Sequence, residues 1–508
     1  MNESFWTGTS GATRYPALDA RTTADVAVVG GGLAGLWTAW ELAQAGRRVA
    51  VIEAGRVGAA STGNTTGKAS ALQSLNFSAI AHAAGRQAAR QYGQAQMLAV
   101  ERVAEVAAAL AVDCDLERRP AYVYVTLHEA LAELREELAA AVAAGVPAVY
   151  REVLDLPFPV AGALRLEGQI QFHPRKLLLA LAQDLVRQGS AVYEDSRVVA
   201  VDDGEPSVAV TEAGASVTAE HLVIATGYPI TSTPGLRRAL RPRRELVVAG
   251  PIPAASAPEG MYITLEDSVR SVRTAPLDAG RRLLIVAGEK FEPGAGGVEE
   301  RFELLTAWAA EHLGLPEVTH RWSAQDYQTK DRVPLIGQAS RAADHAHTWI
   351  ATGFGGWGLT NAVVAGRLIA AGITGGAGLP DWATAFSPAR LERKDSESSG
   401  SGSTSRSVVR HRIEPDERAA VAAIQPGDGA VVDIGGEHCA AYRDPSGILH
   451  LVSAVCSHLG CTVGFNDAEK TWECPCHGSR FGTDGTVLQG PAVRPLAPVA
   501  THLGVAAH

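Results

Sequence analysis

The stretch "DVAVVGGGLAGLWTAWELAQAGRRVAVIEAG", residues 25–55, decides the first fold. Val26, Val28 and Val29 form a short apolar run of the kind found in a buried strand. Gly30, Gly32 and Gly35 follow as G-x-G-x-x-G, and the residues after them predict a helix from about Leu33 to Ala45. A second strand, "RVAVIE", ends in Glu53. Strand, glycines, helix, strand and acid in that order are what dinucleotide binding needs. The glycines permit a tight turn and let the backbone approach a pyrophosphate, whose charge sits on the helix N-terminus. The acid, about 20 residues on, accepts hydrogen bonds from a ribose hydroxyl. In a chain with 53 glycines the motif alone would signify only a turn, and the ordered context carries the reading.

Two later segments extend that site. "AEHLVIATGYP" (219–229) reads as a buried strand ending in Ala225, Thr226 and Gly227, where the backbone again comes close to a ligand. "DRVPLIGQASRAADHAHTWIATGFGGWGLTNAVVAGRLIAAGI" supplies Gly337, a strand, a turn with Gly353, Gly355, Gly356 and Gly358, and a long apolar helix. Near Leu359 and Thr360 the start of that helix places positive dipole against an anionic group, such as the pyrimidine side of a reduced flavin.

With these segments together, the chain over roughly residues 22–380 resembles the FAD-dependent oxidoreductases of the D-amino-acid oxidase, glycine oxidase and sarcosine oxidase type. The resemblance also rests on "STGNTTGKASALQ" and "IQFHPRKLLLALAQDLVRQGSAVYEDSRVVAV". It implies FAD, held by Gly30, Gly32, Gly35, Glu53, Thr226, Gly227, Gly337, Gly353, Gly355 and Gly358. It implies a doubly wound α/β FAD-binding domain (parts about 22–80, 165–232 and 330–378) with an inserted antiparallel-sheet substrate domain (about 81–164 and 233–329). The reaction type implied is removal of a hydride from a carbon bearing an amine or similar group. In this family an arginine often holds a substrate carboxylate, and "SVRSVRTAP" offers Arg270 and Arg273, the latter in the more strand-like context. Each also reads as a solvated arginine on a strand edge. Gln325 and Asp326 precede a flavin-side segment and read equally as loop caps, while Lys68 and Lys290 are candidates to lie near the flavin and favour reaction with oxygen.

The 508-residue chain is too long for one core. A net charge of −10 argues against a nucleic-acid partner. No apolar run reaches the ~18 residues of a spanning helix. The polar start "MNESFWTGTSGATRYP" lacks the pattern of a signal peptide, so a cytoplasmic location is expected. At 392–407, "ERKDSESSGSGSTSRS" has nothing to pack into a core and predicts a flexible linker over about 391–410, closing a first domain of 1–390. The remaining 411–508 are short-stranded and turn-rich, a small all-β domain.

Within that domain, four of the chain's six cysteines lie between Cys456 and Cys476, in "VCSHLGCTVG" and "WECPCHGSRFG". Cys456-x-His458, fifteen residues, then Cys474-x-x-His477 present two thiolates and two imidazoles, a set suited to zinc or to a [2Fe–2S] centre with two histidines on one iron. Three details favour iron–sulfur. Each loop has an additional cysteine, Cys461 and Cys476, able to bridge the loops; Gly460 and Gly478 allow tight loops; and "GPAV" (490–493) offers a covering third loop. The pattern resembles a Rieske domain of the disulfide-bearing cytochrome bc kind. Carried over, Cys456 and Cys474 bind one iron, His458 and His477 the other, and Cys461 pairs with Cys476. The pairing conflicts with a reducing cytoplasm unless burial protects it, and two free thiols are the alternative. Ser479 matches the family's hydroxyl donor to the cluster, whereas the following tyrosine of high-potential members is here Phe481. A potential inside the range of about −150 to +300 mV and below its upper end is expected.

A two-electron flavin and a one-electron cluster on one chain imply a converter. The expected function is dehydrogenation of a small amine or amino acid, with electrons leaving through the cluster to a soluble carrier protein. The alternatives are a reductive flavoenzyme fed through the cluster and a non-enzymatic electron-transfer or redox-sensing protein.

Overall fold

The computed structural model of the chain describes residues 3–230, 235–266, 268–340, 347–375, 378–391, 417–434 and 436–499. The expected linker lies, but for residue 391, outside the described residues. The chain divides into two compact units: residues 1–233, 239–290 and 301–389, and residues 234–238, 291–300 and 390–508.

The first unit contains two sheets. Its nucleotide-type sheet comprises β1 (Arg21–Val29), β2 (Val49–Ile52), β7 (Ala191–Tyr193), β8 (Val198–Asp202), β9 (Ser207–Thr211), β10 (Ser216–Gly227), β16 (Leu335–Gln338) and β17 (Thr348–Thr352). The spatial order is β16-β17-β10-β1-β2-β7, with β9 joining β10 and β8 joining β9. From β17 to β7 all neighbours are parallel, which requires helical crossovers and buries both faces. Accordingly Ala27 and Val28, which point to opposite faces of β1, are both buried. The Leu33–Gln44 and Gly358–Thr374 helices pack on one another, with Gly366 admitting Trp37: a Cβ there would lie 2.6 Å from the indole. This is the doubly wound fold expected.

The second sheet has nine strands: β3 (Lys68–Ala69), β4 (Glu117–Val125), β5 (Val149–Arg151), β6 (Gly162–Gln171), β11 (Leu240–Pro253), β12 (Met261–Thr264), β13 (Ser271–Pro276), β14 (Arg281–Phe291) and β15 (His320–Thr329). They run β15-β11-β14-β13-β12-β4-β6-β3, with β5 on β6. Two features differ from expectation. The sheet is mixed, because β4 and β12 pair in parallel. These strands come from separate insertions joined through the nucleotide-type sheet, so no hairpin forces them antiparallel. The sheet also takes in β3 and all of β6, beyond the expected 81–164 and 233–329; the alternation in "GALRLEGQIQ" suits either sheet, and only pairing assigns it.

The start of the chain is another difference. Phe5–Gly8 form one helical turn that buries Phe5 and Trp6, whose indole N–H donates to the Thr65 carbonyl at 2.5 Å. Two aromatic side chains outweigh a polar average composition.

The second unit carries two antiparallel sheets, β18 (Asp428–Ile434), β19 (Glu437–Arg443) and β20 (Leu449–Ser453), then β21 (Gly464–Asn466), β22 (Thr471–Glu473), β23 (Arg480–Phe481) and β24 (Val487–Gln489). Its core is small, with Trp472 and Phe481 fully buried beside Cys456 and Cys474.

Candidate functional site

The first turn of the Leu33–Gln44 helix follows directly from β1. Gly30 has φ +113°, and a Cβ there would lie 2.5 Å from the Ala225 carbonyl oxygen; one on Gly35 would lie 1.9 Å from the Gly30 carbonyl oxygen. Only glycine lets this turn close and the helix settle on the strand. Gly32 is the N-cap and brings no side chain of its own to the helix end; Leu33 N–H is taken by Thr62 Oγ1, and the positive end of the helix dipole is directed at the place of an anion. Glu53 is oriented from the end of β2 by two donors, Gly31 N–H to Oε2 at 2.6 Å and Gly55 N–H to Oε1 at 2.9 Å. Burial raises its pKa, opposed by those two N–H groups. The cradle that a Cβ would fill, the glycine-capped helix end and the held carboxylate fit the pyrophosphate and ribose of FAD.

At the other end β10 closes on Gly227, with φ +77°, where a Cβ would lie 3.2 Å from the Tyr327 ring. Thr226 bonds the Tyr228 carbonyl at 2.7 Å, and the Thr352 hydroxyl bonds the Gly227 carbonyl. The glycine turn is fastened to β15: Gly355 N–H donates to the Tyr327 carbonyl at 2.9 Å, and Gly356 N–H to the Asp326 carboxylate, which also accepts Tyr327 N–H at 2.7 Å. Burial raises the Asp326 pKa to about 6. Gly353, Gly355 and Gly356 all have positive φ, and Gly358 opens the helix. Gly337 stands apart from this turn: it sits on β16 opposite Ile350, and its close neighbour is Pro388.

The first helical turn after the glycines is held from beneath by buried amides. Gln73 Nε2 donates to Gln96 Oε1 at 2.9 Å and to Thr360 Oγ1 at 3.2 Å, while Gln96 Nε2 donates to Asn361 Oδ1 at 2.7 Å. These residues have no sequence motif, and nothing short of the fold brings them together. The Ser61–Asn64 turn is likewise invisible in sequence as a link: Thr62 Oγ1 accepts Leu33 N–H at 3.0 Å, and Ser61 Oγ donates to the Gln325 carbonyl at 2.6 Å.

The substrate-side candidates fare differently. Gln325 and Tyr327 share one face of β15, joined by an amide-to-phenol bond of 2.8 Å, beside Gly227. Arg273, expected as the carboxylate anchor, is corrected. It is fully buried, its Nε bonds the Thr274 carbonyl and its Nη1 the carbonyls of Thr66, Gly67 and Phe172, and it lies over the Trp6 ring at 5.3 Å. A planar fork meets carbonyls as readily as a carboxylate, and here it clamps the 66–67 backbone to β13. Arg270 is paired with Glu289 at 2.5 Å and lies over Trp308.

In the second unit the two ligand loops repeat one hydrogen-bond design. Cys456 N–H donates to the Cys461 carbonyl at 2.8 Å and Gly460 N–H returns to the Cys456 carbonyl at 2.9 Å; Cys474 N–H donates to the Ser479 carbonyl at 2.8 Å and Gly478 N–H returns to the Cys474 carbonyl at 2.9 Å. Gly460 and Gly478, at φ +75° and +76°, turn both loops back. His458 and His477 meet edge to face with ring centroids 5.1 Å apart, and Cys461 and Cys476 form the expected disulfide. The Cys456 and Cys474 thiols act on one another, which lowers the pKa of the first and raises that of the second. The Ser479 hydroxyl points at Cys456 and accepts Ala492 N–H at 3.0 Å. Two cysteines and two histidines on this pair of loops are the donor set of a [2Fe–2S] centre with mixed ligation.

Comparison with known proteins agrees. The sequence profile of the FAD dependent oxidoreductases (DAO) matches residues 25–371, and that of the Rieske [2Fe-2S] domain matches 417–501. A Bacillus subtilis (strain 168) protein named for a Rieske 2Fe-2S iron-sulfur centre is 31% identical over 505 residues, covering 98% of this chain and 97% of its own. Gamma-glutamylputrescine oxidoreductase of Escherichia coli (strain K12) is 27% identical over 382 residues, 72% of this chain and 86% of its own. Glycine oxidase from Geobacillus kaustophilus shares the fold, with a TM-score of 0.57 at 24% identity over 73% of this chain and 99% of its own. No helix among the described residues is long and apolar enough to cross a membrane. The chain is an enzyme that takes FAD and a [2Fe–2S] cluster, and it belongs to the DAO family of FAD-dependent oxidoreductases, extended at its C-terminus by a Rieske domain.

Proposed function

We propose that the protein is a dehydrogenase of a small amine or amino acid that discharges its electrons through the Rieske centre to an external carrier protein. The observation that carries this reading is the pairing, on one chain, of a dinucleotide cradle with a complete two-cysteine, two-histidine loop pair. FAD, when bound, accepts a hydride, and the cluster passes electrons singly. The chain's own part is to hold and orient. The Leu33–Gln44 helix end and Glu53 would hold the dinucleotide, Asp326 fixes the glycine turn, and Gln325 and Tyr327 furnish a polar edge beside Gly227. The similarity to gamma-glutamylputrescine oxidoreductase and the glycine oxidase fold support an amine-bearing substrate. The Gly30, Gly32, Gly35 and Glu53 end, Thr226 and Gly227, and the Gly353–Gly358 turn are proposed to contact FAD; Cys456, His458, Cys474 and His477 are proposed as the cluster ligands.

An anaerobic mixing experiment tests this. Amino acids and simple amines are added to the purified protein while flavin absorbance and the Rieske EPR signal are followed in one sample. Bleaching followed by the reduced-cluster signal is expected. Absence of both, with chemically reduced cluster then bleaching the flavin, would overturn the direction of flow.

A further inference from the structure

We propose that Lys68 is the proton acceptor of the substrate site, taking a proton from the ammonium group of the bound amine; this rests on the amine reading above. Lys68 stands on β3, at the end of a segment that touches both ends of the flavin site. Thr62 of that segment receives Leu33 N–H at the start of the dinucleotide helix, and Ser61 reaches the Gln325 carbonyl on β15. From β3 the Lys68 side chain bonds the hydroxyl of Ser271 on β13. Those strands are separated in the sheet by β6, β4 and β12. Four strand spacings of about 4.8 Å in a flat sheet exceed any lysine's reach. The sheet is therefore curled, and Lys68 spans its hollow face, where the side chain keeps part of its surface accessible.

What surrounds the amine favours its neutral form. The charged groups acting on it are Glu245 from β11, Arg273 from β13 and Lys290 from β14. Its β6 partner is Gln171, and the buried face of the Gly358–Thr374 helix carries no charge. Glu245 is shared with Lys290, 4.0 Å away, and Lys68 itself makes no ion pair among the described residues. Desolvation first, and then the two cations, lower its pKa to about 7 against the pull of Glu245.

Chemistry requires such a group. A hydride leaves a carbon readily only when the adjacent nitrogen has a free electron pair, and most amines are ammonium ions at neutral pH. In the proposed step the substrate N–H bond breaks, its electron pair stays on the substrate nitrogen, and the Lys68 Nζ pair takes the proton. Lys68 becomes an ammonium that donates to Ser271, and no other electrons move. Neighbouring carboxylates are less suited: Asp326 holds two backbone N–H groups, and Glu245 faces Lys290.

The test uses the FAD-loaded full chain. Glycine, L-proline and γ-glutamylputrescine serve as probes in anaerobic stopped flow from pH 5.5 to 10. Second-order flavin bleaching should rise through a midpoint near 7 in the natural protein. Lys68→Met should lose that midpoint, fall ~100-fold at pH 7 and close on the natural rate as the pH approaches the ammonium pKa of the probe. An unchanged midpoint in Lys68→Met would overturn the role of Lys68 while leaving the amine reading intact. Bleaching by no probe at any pH would remove the amine reading and this proposal with it. A substrate-free measurement stands beside it: trace acetylation of the natural holoprotein, read by mass spectrometry of the Lys68 peptide, should titrate near 7. A midpoint near the ordinary lysine value of about 10.4 would also overturn the proposal.

Discussion

Every proposed ligand and the disulfide of the Rieske site fall between Cys456 and His477, on two loops that close by their own backbone hydrogen bonds. The proposed flavin site draws instead on Gly30–Gly35, Glu53, Ser61–Lys68, Gly227, Gln325–Tyr327 and Gly353–Gly358, positions spread over more than 300 residues and two sheets. A local site needs little beyond its loops and a small core. A dispersed one exists only when both sheets have formed and packed, so damage far from it should still reach it.

The strongest challenge to that contrast is Gly35→Ala. Its methyl would sit 1.9 Å from the Gly30 carbonyl oxygen, a backbone atom that cannot step aside. A loss of bound FAD and a destabilisation of about 3 kcal/mol are expected in denaturant unfolding of the first unit, with the Rieske EPR signal unaltered. Loss of both centres would show that the two units do not fold independently. Cys474→Ser is the converse. It should abolish the cluster signal and leave flavin absorbance and FAD content unchanged, and flavin loss would contradict the local character of the cluster site.

His173 sharpens the comparison through pH. It is buried, caps the Pro174–Arg187 helix by accepting Lys176 N–H at 3.3 Å, and meets the Trp6 ring edge to face with centroids 4.9 Å apart. Burial above all lowers its pKa from 6.5 to about 4. Between those values the unfolded chain binds the proton and the folded chain does not, so stability should fall as pH drops through this window and this contribution should level off below it. His173→Asn, which keeps a capping acceptor, should remove a loss on the order of 2 kcal/mol from the first unit's acid profile while leaving the Rieske unit's unchanged. An unaltered profile in thermal unfolding would assign the acid sensitivity elsewhere. The smallest effect is expected at Ser479, whose fully buried hydroxyl faces Cys456. Ser479→Ala should lower the cluster potential by about 40 mV, the equivalent of a ~1 kcal/mol hydrogen bond to a one-electron couple. Potentiometric EPR titration would measure it, and no shift would mean that the hydroxyl does not tune the cluster.

The same contrast explains what was legible. Ligand type and spacing within a few residues are properties of the chain itself, so the Cys-x-His and Cys-x-x-His loops, their glycines and the G-x-G-x-x-G turn could be read before any fold was known. Arg273 could not. A guanidinium on a strand looks the same whether it meets a substrate carboxylate or the carbonyls of Thr66, Gly67 and Phe172, and those carbonyls come from distant parts of the sequence. The mixed pairing of β4 with β12 and the buried Trp6 escaped for the same reason.

By itself, then, the sequence determined the two cofactors and the doubly wound domain, and it furnished the proposed cluster ligands, because each rests on interactions within a turn or a single strand–helix–strand unit. The tertiary structure alone decided which arginine is a clamp, how the second sheet curls, and that Lys68 reaches across to Ser271 among the charges of Glu245, Arg273 and Lys290. Desolvation and charge proximity depend on distance in space, which sequence separation does not encode.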